Sequence, residues 1–569
     1  MLKNEVEKRL VSLLSIGALG ITLLVTDRIS TEPVNVGKMV LLTIIALGSF
    51  TLITKEIFRF AAADKIVSAA ALIFLCASLV SILLSGNPLE RGFYGVYGRN
   101  TGFLTYFSLV LILISTSYLS KQLGFTKIIR CLLIAGYCNI FLGLLTLNGF
   151  DVFKWDNPYE KLLGTFGNPD FLSAFMGICI SVFAALFFGS NISRTYRTLI
   201  LFSASASFFI LLETGALQGL VVASLGILIT LFFVLKFRFN NKLINAGYAS
   251  IFVFTTGLAI FGTLQKGPLA SVLYKTSVSL RGEYWQAGIN MGMDRPLTGV
   301  GLDSYGTYYR VFRDESAIIL PGLNTVTDTA HNVFIDIFAS TGIIGLLAYI
   351  TLTITVLFRA LKTFRGQKSY DPLFTAIFVG WIGYQAQSVI SINQIGLAIW
   401  GWLLGGAIIA YSKLGNDANV ETKVEKIKSK VSKGKSVKKG EFQLQAGLLM
   451  TLYSAILVGV LIATPPFIAD VQLRQAMKSN DKEKFFTIAT KWPMDSTRTN
   501  YILTRSLPEG QEVTEEMIKL AVIAGKKFPE DYAAAYAIYQ LSADGSDQRS
   551  RYKAKLHRLD PLNPEFAPK

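Results

Sequence analysis

The chain has 569 residues, of which 51% are hydrophobic and only 16% are charged, and its mean hydropathy is +0.46. These values exclude an ordinary soluble domain and are typical of a protein that crosses a membrane many times. The net charge of +17 does not point to nucleic acid as a partner. The basic residues lie in short connections between apolar segments, and no groove-reading motif accompanies them.

Thirteen apolar segments are each about long enough to span a bilayer, which takes about 20 residues. We divide one longer apolar stretch at Glu213–Ala216, because its forty or so residues, at about 1.5 Å each, exceed a single crossing. The sequence therefore predicts an all-α polytopic membrane protein with about 13 transmembrane helices. The segments lie near residues 9–26, 36–54, 65–85, 102–119, 127–147, 169–189, 198–213, 216–236, 243–263, 332–358, 371–390, 394–411 and 444–465.

The even-numbered connections between these segments are all basic. Lys and Arg accumulate in cytoplasmic loops of membrane proteins. The pattern predicts a multi-pass protein of the plasma (inner) membrane with a cytoplasmic N-terminus and an extracytoplasmic C-terminal domain. The residues concerned are Lys55, Arg59 and Lys65; Lys121, Lys127 and Arg130; Arg194 and Arg197; Lys236, Arg238 and Lys242; and Arg359, Lys362, Arg365 and Lys368.

The hydropathy pattern predicts four units. A transmembrane catalytic core covers residues 1–411 and contains a large outer loop at about 264–331. Residues 412–443 form a lysine-rich cytoplasmic linker, with the composition of a disordered segment, and 444–465 form the last transmembrane helix. Residues 466–569 form an extracytoplasmic helical tail.

Amphipathic patterns in the tail, such as AAAYAIYQL at Ala533–Leu541, predict a tetratricopeptide-like array of helices, although no clean 34-residue repeat can be phased. Such an array would bind other envelope proteins. The four cysteines all lie in apolar segments, which favours small buried side chains over disulfides or metal ligands.

The large outer loop contains YKTSVSLRGEYWQAGINMGMDRPLTGVGLDSYGTYYR, from Tyr274 to Arg310. Arg281 and Trp285 are four residues apart and therefore share one face of a helix. A planar guanidinium is a preferred partner for a pair of phosphate oxygens. Arg281 at a membrane entry fits a lipid-linked pyrophosphate, and the alternative is a snorkelling or ion-paired arginine.

His331 is one of only two histidines in the chain and lies where this polar loop enters an apolar segment. We expect it in the first turn of a helix that starts outside, where the helix dipole disfavours an imidazolium. A neutral imidazole is the form that a general base needs at pH 7. The alternative is a structural histidine at a helix end. We expect no metal, because no paired acidic motif such as DxD occurs in the outer loops.

The order of RGEYWQAG (Arg281–Gly288), DRPLTGVG (Asp294–Gly301) and AHNVFIDIFASTGIIG (Ala330–Gly345) resembles the signature region of the O-antigen ligase/polymerase (Wzy-C) superfamily. YGRNTGFLTY (Tyr97–Tyr106) and GTFGNPDFLSAF (Gly164–Phe175) are also similar to it. The resemblance covers roughly residues 90–410.

The resemblance implies a glycosyl transfer without metal or other cofactor at the outer membrane face. The donor would be a glycan on a polyprenyl pyrophosphate, and the acceptor another glycan, a lipid or a protein. By position, His331 would take the proton of the acceptor hydroxyl, Arg281 would hold the pyrophosphate, and Arg99 is a second candidate ligand.

One segment departs from the pattern of the superfamily. Many members carry a further phosphate-binding arginine at the outer end of a middle span, whereas here ETGALQGL (Glu213–Leu220) has Thr214 at that position. Gln218 as a neutral donor, or Arg99, would compensate, and Asn168 is a further candidate substrate ligand.

Two other classes of protein compete with the transferase. A flippase or permease for lipid-linked glycans would also have many spans, but transporters tend to carry intramembrane charges and inverted repeats, and Glu213 is the main charge within the spans. A membrane scaffold that recruits partners through its tail would leave Arg281 and His331 unexplained.

Overall fold

The protein is built from α-helices, and no β-strand occurs in the part of the chain that the structure describes. The computed structural model describes residues 2–57, 61, 64–120, 122–190, 192–239, 241–263, 267–268, 276–428, 438–479, 482–506 and 514–568. The first ten helices are α1 (Leu2–Leu23), α2 (Asn35–Ile53), α3 (Lys65–Leu84), α4 (Leu89–Tyr94), α5 (Phe103–Thr116), α6 (Gln122–Leu147), α7 (Pro169–Phe187), α8 (Arg194–Glu213), α9 (Gln218–Phe239) and α10 (Lys242–Thr263). The next six are α11 (Thr276–Asp294), α12 (Tyr305–Phe312), α13 (Val333–Gly366), α14 (Pro372–Ile390), α15 (Ile395–Lys428) and α16 (Lys438–Ser479). The tail adds α17 (Lys482–Ala489), α18 (Ser496–Ser506), α19 (Glu515–Lys527), α20 (Tyr532–Leu541) and α21 (Asp547–Leu559).

Each of the thirteen predicted spans coincides with one of these helices. The division of residues 198–236 is also found, since α8 ends at Glu213 and α9 begins at Gln218. Ten of the described helices are long and apolar enough to cross a membrane. The three predicted spans that are not among these ten are α1, α5 and α10. Helix α5 is apolar but has only 14 residues. The fold class is thus an all-helical protein with ten candidate membrane spans.

Local sequence sets the start of several long helices. Asn168 caps α7 by accepting a hydrogen bond from the backbone N–H of Asp170, and a proline occupies the first turn. Asp371 caps α14 in the same way, again followed by proline. Such caps satisfy N–H groups that have no partner within the helix, and proline loses nothing there because its missing donor is not needed.

Contacts between distant connections identify two opposite ends of the helical bundle. At one end, which we call the loop end, Asn35 Nδ2 donates to the carbonyl of Gly98 at 2.8 Å and Gln394 Nε2 donates to Asn35 Oδ1 at 3.1 Å. At the other, the basic end, Asp64 pairs with Arg359 at 2.7 Å and with Lys413 at 2.5 Å. Residues far apart in sequence therefore meet where an up-and-down arrangement puts them.

The lysine-rich linker differs in part from the prediction. The backbone of α15 continues as a helix to Lys428, and α16 begins at Lys438. Residues 429–437 lie outside the described residues. The described parts of the linker are thus helical extensions of the flanking helices, which agrees with the good helix propensity of its Lys, Glu and Ala residues.

The tail packs as successive short helices around a small apolar core. Thr514, Asp531 and Ser546 cap α19, α20 and α21 through side-chain oxygens. The core residues come from all of its helices and from the end of α16; among them are Leu473, Ile488, Ile502, Leu520 and Ile538.

Candidate active site

The segment that carries Arg99 is held in place by one buried carboxylate of the large loop. Asp303 Oδ2 accepts from the backbone N–H groups of Val96 and Thr101 at 2.8 and 3.2 Å, and its Oδ1 accepts from Thr101 Oγ1 at 3.0 Å. Asn100 and Asp303 both have positive φ, at 55° and 54°, a conformation that asparagine and aspartate tolerate better than most residues. The YGRNTG turn and the large loop therefore form one unit.

The PLTGVG turn is held by hydrogen bonds to a break in helix α13. The break is at Gly342, whose φ is +68°. The break frees the carbonyls of Ala339 and Ser340, which accept from the N–H groups of Val300 and Gly301 at 2.8 and 3.1 Å. The freed N–H of Ile343 donates to the carbonyl of Pro296 at 2.7 Å. Irregular backbone is tolerated at membrane depth when neighbouring protein satisfies it, so this turn and this helix depend on each other.

His331 lies just before α13 and not in its first turn, which corrects the prediction. The N-cap is Asn332, whose Oδ1 accepts from the N–H groups of Phe334 and Ile335 at 3.0 and 3.2 Å. His331 itself has a φ of 53°. Asp336 Oδ1 accepts from the N–H of Ala330 at 2.6 Å, which fixes the backbone that presents the imidazole.

The environment of His331 keeps its imidazole neutral. The pKa of His331 is lowered from 6.5 to about 4, mainly by burial and further by the positive charges of Arg99 and Arg281, while Asp328 opposes the shift. The helix dipole was the expected cause, but burial and the two arginines are the larger ones. The ring packs on Tyr284 with centroids 5.7 Å apart, and no hydrogen bond from the ring nitrogens is found among the described residues. The three sequence-predicted residues His331, Arg281 and Arg99 are thus brought together from separate segments.

Arg99 forms an ion pair with Asp328, a residue that the sequence did not single out. Its Nε and Nη2 donate to Asp328 Oδ2 and Oδ1 at 2.6 and 2.7 Å, a bidentate pair. Burial alone would raise the pKa of Asp328, but the charge and hydrogen bonds of Arg99 hold that pKa below its ordinary value. The charge of Arg99 is therefore compensated by Asp328, which lies three residues before His331 in the sequence.

Arg281 is held less tightly. Its Nη2 lies 3.7 Å from Asp170 Oδ2, a separation of charges without a hydrogen bond. Asp170 stands in the first turn of α7, and Asn168, the cap of that helix, also donates from Nδ2 to the Tyr159 hydroxyl at 3.1 Å. Asn168 is thus linked to Arg281 by way of Asp170, which lies near the Arg281 charge and donates its N–H to the Asn168 side chain.

Thr214 and Gln218, in the stretch that departs from the superfamily pattern, are buried. Gln218 opens α9 and donates to Gln387 Oε1 at 3.1 Å, while Thr214 Oγ1 donates to the carbonyl of Leu211 at 2.6 Å. A Cβ on Gly215 would stand 3.5 Å from Lys161 Cε. The stem of Lys161, from the loop before α7, therefore lies beside Gly215, next to the position where an arginine was expected.

A cavity adjoins the Arg99–Asp328 pair. Its lining includes three aspartates and one arginine, and Asn393 Nδ2 is buried there without a partner among the described residues. A pyrophosphate would meet more negative than positive charge in this cavity, which favours the Arg281 side for the anion. The polar lining residues are Asn35, Arg99, Thr101, Tyr106, Asp303, Tyr305, Asp328, Thr329, Asp336, Ser340, Asn393 and Gln394.

Sequence reasoning missed several residues that organise the site. Asp170 lies in the GTFGNPDFLSAF motif and Asp328 lies three residues before His331, and this closeness in sequence to the candidate segments was the available signal. Lys38 is a fully buried lysine within α2, and its Nζ donates to the carbonyls of Thr165 at 2.6 Å and Thr22 at 3.3 Å. A charged residue inside a span marks a functional or structural site by default, and here it holds the GTF turn before α7.

The fold and the site together define a multi-pass, all-helical membrane protein whose reactive groups gather at one end of the helical bundle. Residues 173–350 match the family described as Wzy_C, O-Antigen ligase. The chain therefore carries a domain of the O-antigen ligase superfamily, and the recognition made from the motifs is confirmed. The match includes Gln218, Arg281 and His331, whereas Arg99 and Asn168 precede it. No curated protein among those compared matches the chain.

The matched domain supports a membrane function in handling envelope polysaccharide, of the O-antigen ligase or polymerase type. It does not favour the transporter reading.

Proposed function

We propose that the protein is a membrane glycosyltransferase that moves a glycan from a polyprenyl-pyrophosphate donor to an acceptor hydroxyl. The observation that carries this proposal is that two guanidinium groups from different segments, Arg281 and Arg99, lie near enough to the buried His331 imidazole to help lower its pKa. Group transfer from a pyrophosphate needs a base on one side and positive charge on the other.

In the proposed reaction, the His331 imidazole takes the proton of the acceptor hydroxyl, and the oxygen attacks the anomeric carbon of the donor sugar. The bond from that carbon to the pyrophosphate oxygen breaks, and its electron pair leaves with the pyrophosphate. Arg281 stabilises the charge on the leaving group, because its guanidinium is not saturated by Asp170. Lys161 and Gln218 would supplement it where the family pattern has an arginine.

Arg99 and Asn168 take secondary roles in this proposal. Arg99 shares its charge with Asp328, and the pair would orient the donor or exchange its carboxylate for a phosphate oxygen when the donor binds. Asn168 would contact substrate beside Asp170. No metal or other cofactor is part of the proposed reaction.

The arrangement in the membrane completes the proposal. Thirteen spans, a cytoplasmic N-terminus and an inner-membrane location would put the loop end outside, where lipid-linked glycans are joined to acceptors. The basic end would then face the cytoplasm, as the positive-inside rule requires. The tail would be an extracytoplasmic tetratricopeptide-like domain that contacts other envelope proteins, and the acceptor would be a glycan, a lipid or a protein.

The test is transfer by the purified protein, in detergent or nanodiscs, from a lipid-linked glycan to acceptor, followed by mass spectrometry of the product. We expect His331→Gln to bind donor normally and to transfer about 10²–10⁴-fold more slowly, the usual effect of removing a general base. His557→Gln, which changes the other histidine of the chain, is the matched control. Transfer by His331→Gln at the rate of that control would contradict the base assignment. Movement of intact donor across vesicles without any transfer would favour the transporter.

A further inference from the structure

The tail returns to the loop end and contacts the large loop through one buried carboxylate, Asp560. Its Oδ1 and Oδ2 accept from Arg313 Nη2 at 2.7 and 2.9 Å, and Oδ2 also accepts from Arg310 Nη1 at 2.8 Å. The side chains of Arg313 and Asp560 are both 0% exposed. A buried carboxylate is tolerated only when its charge and lone pairs are satisfied, and here both partners come from the large loop.

The same two arginines also bind the backbone of the segment that leads to His331. Arg313 Nη1 and Arg310 Nη1 donate to the carbonyl of Leu323 at 2.7 and 3.3 Å. The Arg310 guanidinium also lies 4.3 Å from the ring centre of Tyr532 in α20. Asp560 thus fixes the end of α12 and, through it, the start of the segment from Leu323 to His331.

Helix α12 is joined to His331 by a second route. The Tyr305 hydroxyl donates to the carbonyl of Tyr284 at 2.5 Å, and the ring of Tyr309 packs edge-on against that of Tyr284 at 5.9 Å. Tyr284 in turn carries the His331 ring. Both the backbone before His331 and the ring beside it therefore depend on where α12 lies.

The Asp560 contact is not needed to attach the tail. Asp470 accepts from the N–H groups of Thr31 and Glu32 at 2.9 and 3.0 Å and from the Tyr97 hydroxyl at 2.5 Å. Lys527 pairs with Glu90 at 2.5 Å. These contacts anchor the tail to other segments of the loop end, so the specific effect of Asp560 falls on α12.

We propose that Asp560 is a positioning residue of the active site: from the tail, it holds α12 and the following loop so that Tyr284 and His331 keep their geometry. The tail is on this account a structural part of the catalytic unit, in addition to any surface that it offers to partners. As far as its effect on rate is concerned, this inference rests on the proposed transfer by His331.

The first experiment reads geometry and does not need activity. Hydrogen–deuterium exchange of the full-length protein should show faster exchange at residues 303–316 and 323–331 in Asp560→Asn than in wild type. The matched control is Glu530→Gln, which breaks the exposed pair with Arg558 and should leave both segments unchanged. Arg310→Gln, which removes one of the loop's bonds and keeps the Arg313–Asp560 pair, should give a smaller change in the same direction.

The second experiment reads the rate. A 1 Å displacement of a catalytic group can lower the rate about 10²-fold, so Asp560→Asn should reduce kcat by about 10- to 100-fold, with a much smaller change in KM for the donor. Asp560→Glu, which keeps the charge, should recover part of the loss. Because a smaller active fraction would also lower the apparent kcat without changing KM, kcat is referred to the concentration of donor-binding sites in the same preparation.

The two experiments separate the possible failures. Unchanged exchange at residues 303–316 in a folded Asp560→Asn protein overturns the positioning role, whatever the rate. Faster exchange with an unchanged kcat also overturns it. Faster exchange in a protein whose wild type performs no transfer leaves the contact to α12 established and overturns the proposed function instead.

Discussion

At the residue scale, the two arginines of the site differ in how far their charge is already used. Arg99 donates two short hydrogen bonds to Asp328, whereas Arg281 stands 3.7 Å from Asp170. The sequence predicted a pyrophosphate contact for both arginines. In the structure, of these two only Arg99 is hydrogen-bonded to a carboxylate. Arg281 is therefore the better candidate for direct phosphate contact, and Arg99 the better candidate for organising the loop before His331.

We expect Arg281→Lys to weaken donor binding and to lower kcat/KM by about tenfold or more, since a charge-assisted hydrogen bond contributes about 1.5–3 kcal/mol. Arg99→Lys should lower the rate as well, and Asp328→Asn should resemble it because both changes break the same pair. Arg551→Lys on the exposed face of the tail is the control. Measured rates equal to this control for both site variants would exclude a precise role for either arginine.

The pH dependence of transfer should reflect the lowered pKa of His331. Protonation removes the base, and because burial and two cations lower its pKa to about 4, kcat/KM should stay level as pH falls through 6.5 and decline only near pH 4. An ordinary histidine would already lose half of its activity at pH 6.5. A midpoint near 6.5 in the pH profile of kcat/KM would show that the imidazole is not in the environment described.

At the element scale, the site depends on the break in α13. A helix that ran straight through Gly342 would satisfy its own carbonyls and leave the PLTGVG turn without partners. A Cβ on Gly342 would stand 2.5 Å from the carbonyl oxygen of Pro296, and one on Gly299 would overlap the carbonyl carbon of Ser340. The two glycines are therefore required by close backbone approach as well as by their positive φ.

We expect Gly342→Ala to destabilise the protein by at least about 1–2 kcal/mol, the penalty of a left-handed conformation for a residue with a Cβ, and to reduce transfer further by moving the turn. Gly366→Ala, at a position with open space around it, is the control. Thermal unfolding in detergent together with the transfer rate measures both effects. Equal melting temperatures for the two variants would contradict the interlock of turn and helix.

At the scale of the whole molecule, the connections alternate between two ends, but the direction of the bundle in the membrane follows only from charge. Ser550 lies exposed in the tail and Ser369 lies exposed in the connection at the basic end. Ser496 also lies in the tail, but it is only 3% exposed, so a cysteine at this position would not react readily with a reagent in solution.

Single cysteines at these two positions, in a background without the four native ones, should react differently with a membrane-impermeant reagent. We expect Ser550→Cys to be labelled in intact cells and Ser369→Cys only after the membrane is opened, because basic connections stay in the cytoplasm. Labelling of Ser369→Cys alone in intact cells would reverse the orientation. Labelling of both at equal rates would contradict the span count.

The sequence by itself determined the helices, their approximate ends and the family. Apolar segments of bilayer length form helices because lipid leaves backbone groups no other partner, and caps and prolines mark where they begin. The motifs also predicted that His331, Arg281 and Arg99 belong to one site, because glycines and histidine at these spacings are specific in combination, and this assignment stays a prediction. Local patterns of this kind are readable along a single chain.

Only the tertiary structure decided which charges neutralise each other. Asp328 lies 229 residues from Arg99, and Asp560 lies 247 residues from Arg313; no local spacing relates such residues. The same holds for the cause of the lowered pKa of His331, which is burial among distant segments and not the helix end that the sequence suggested. Pairing, burial and the position of the tail depend on how the helices pack, and packing is a property of the whole bundle.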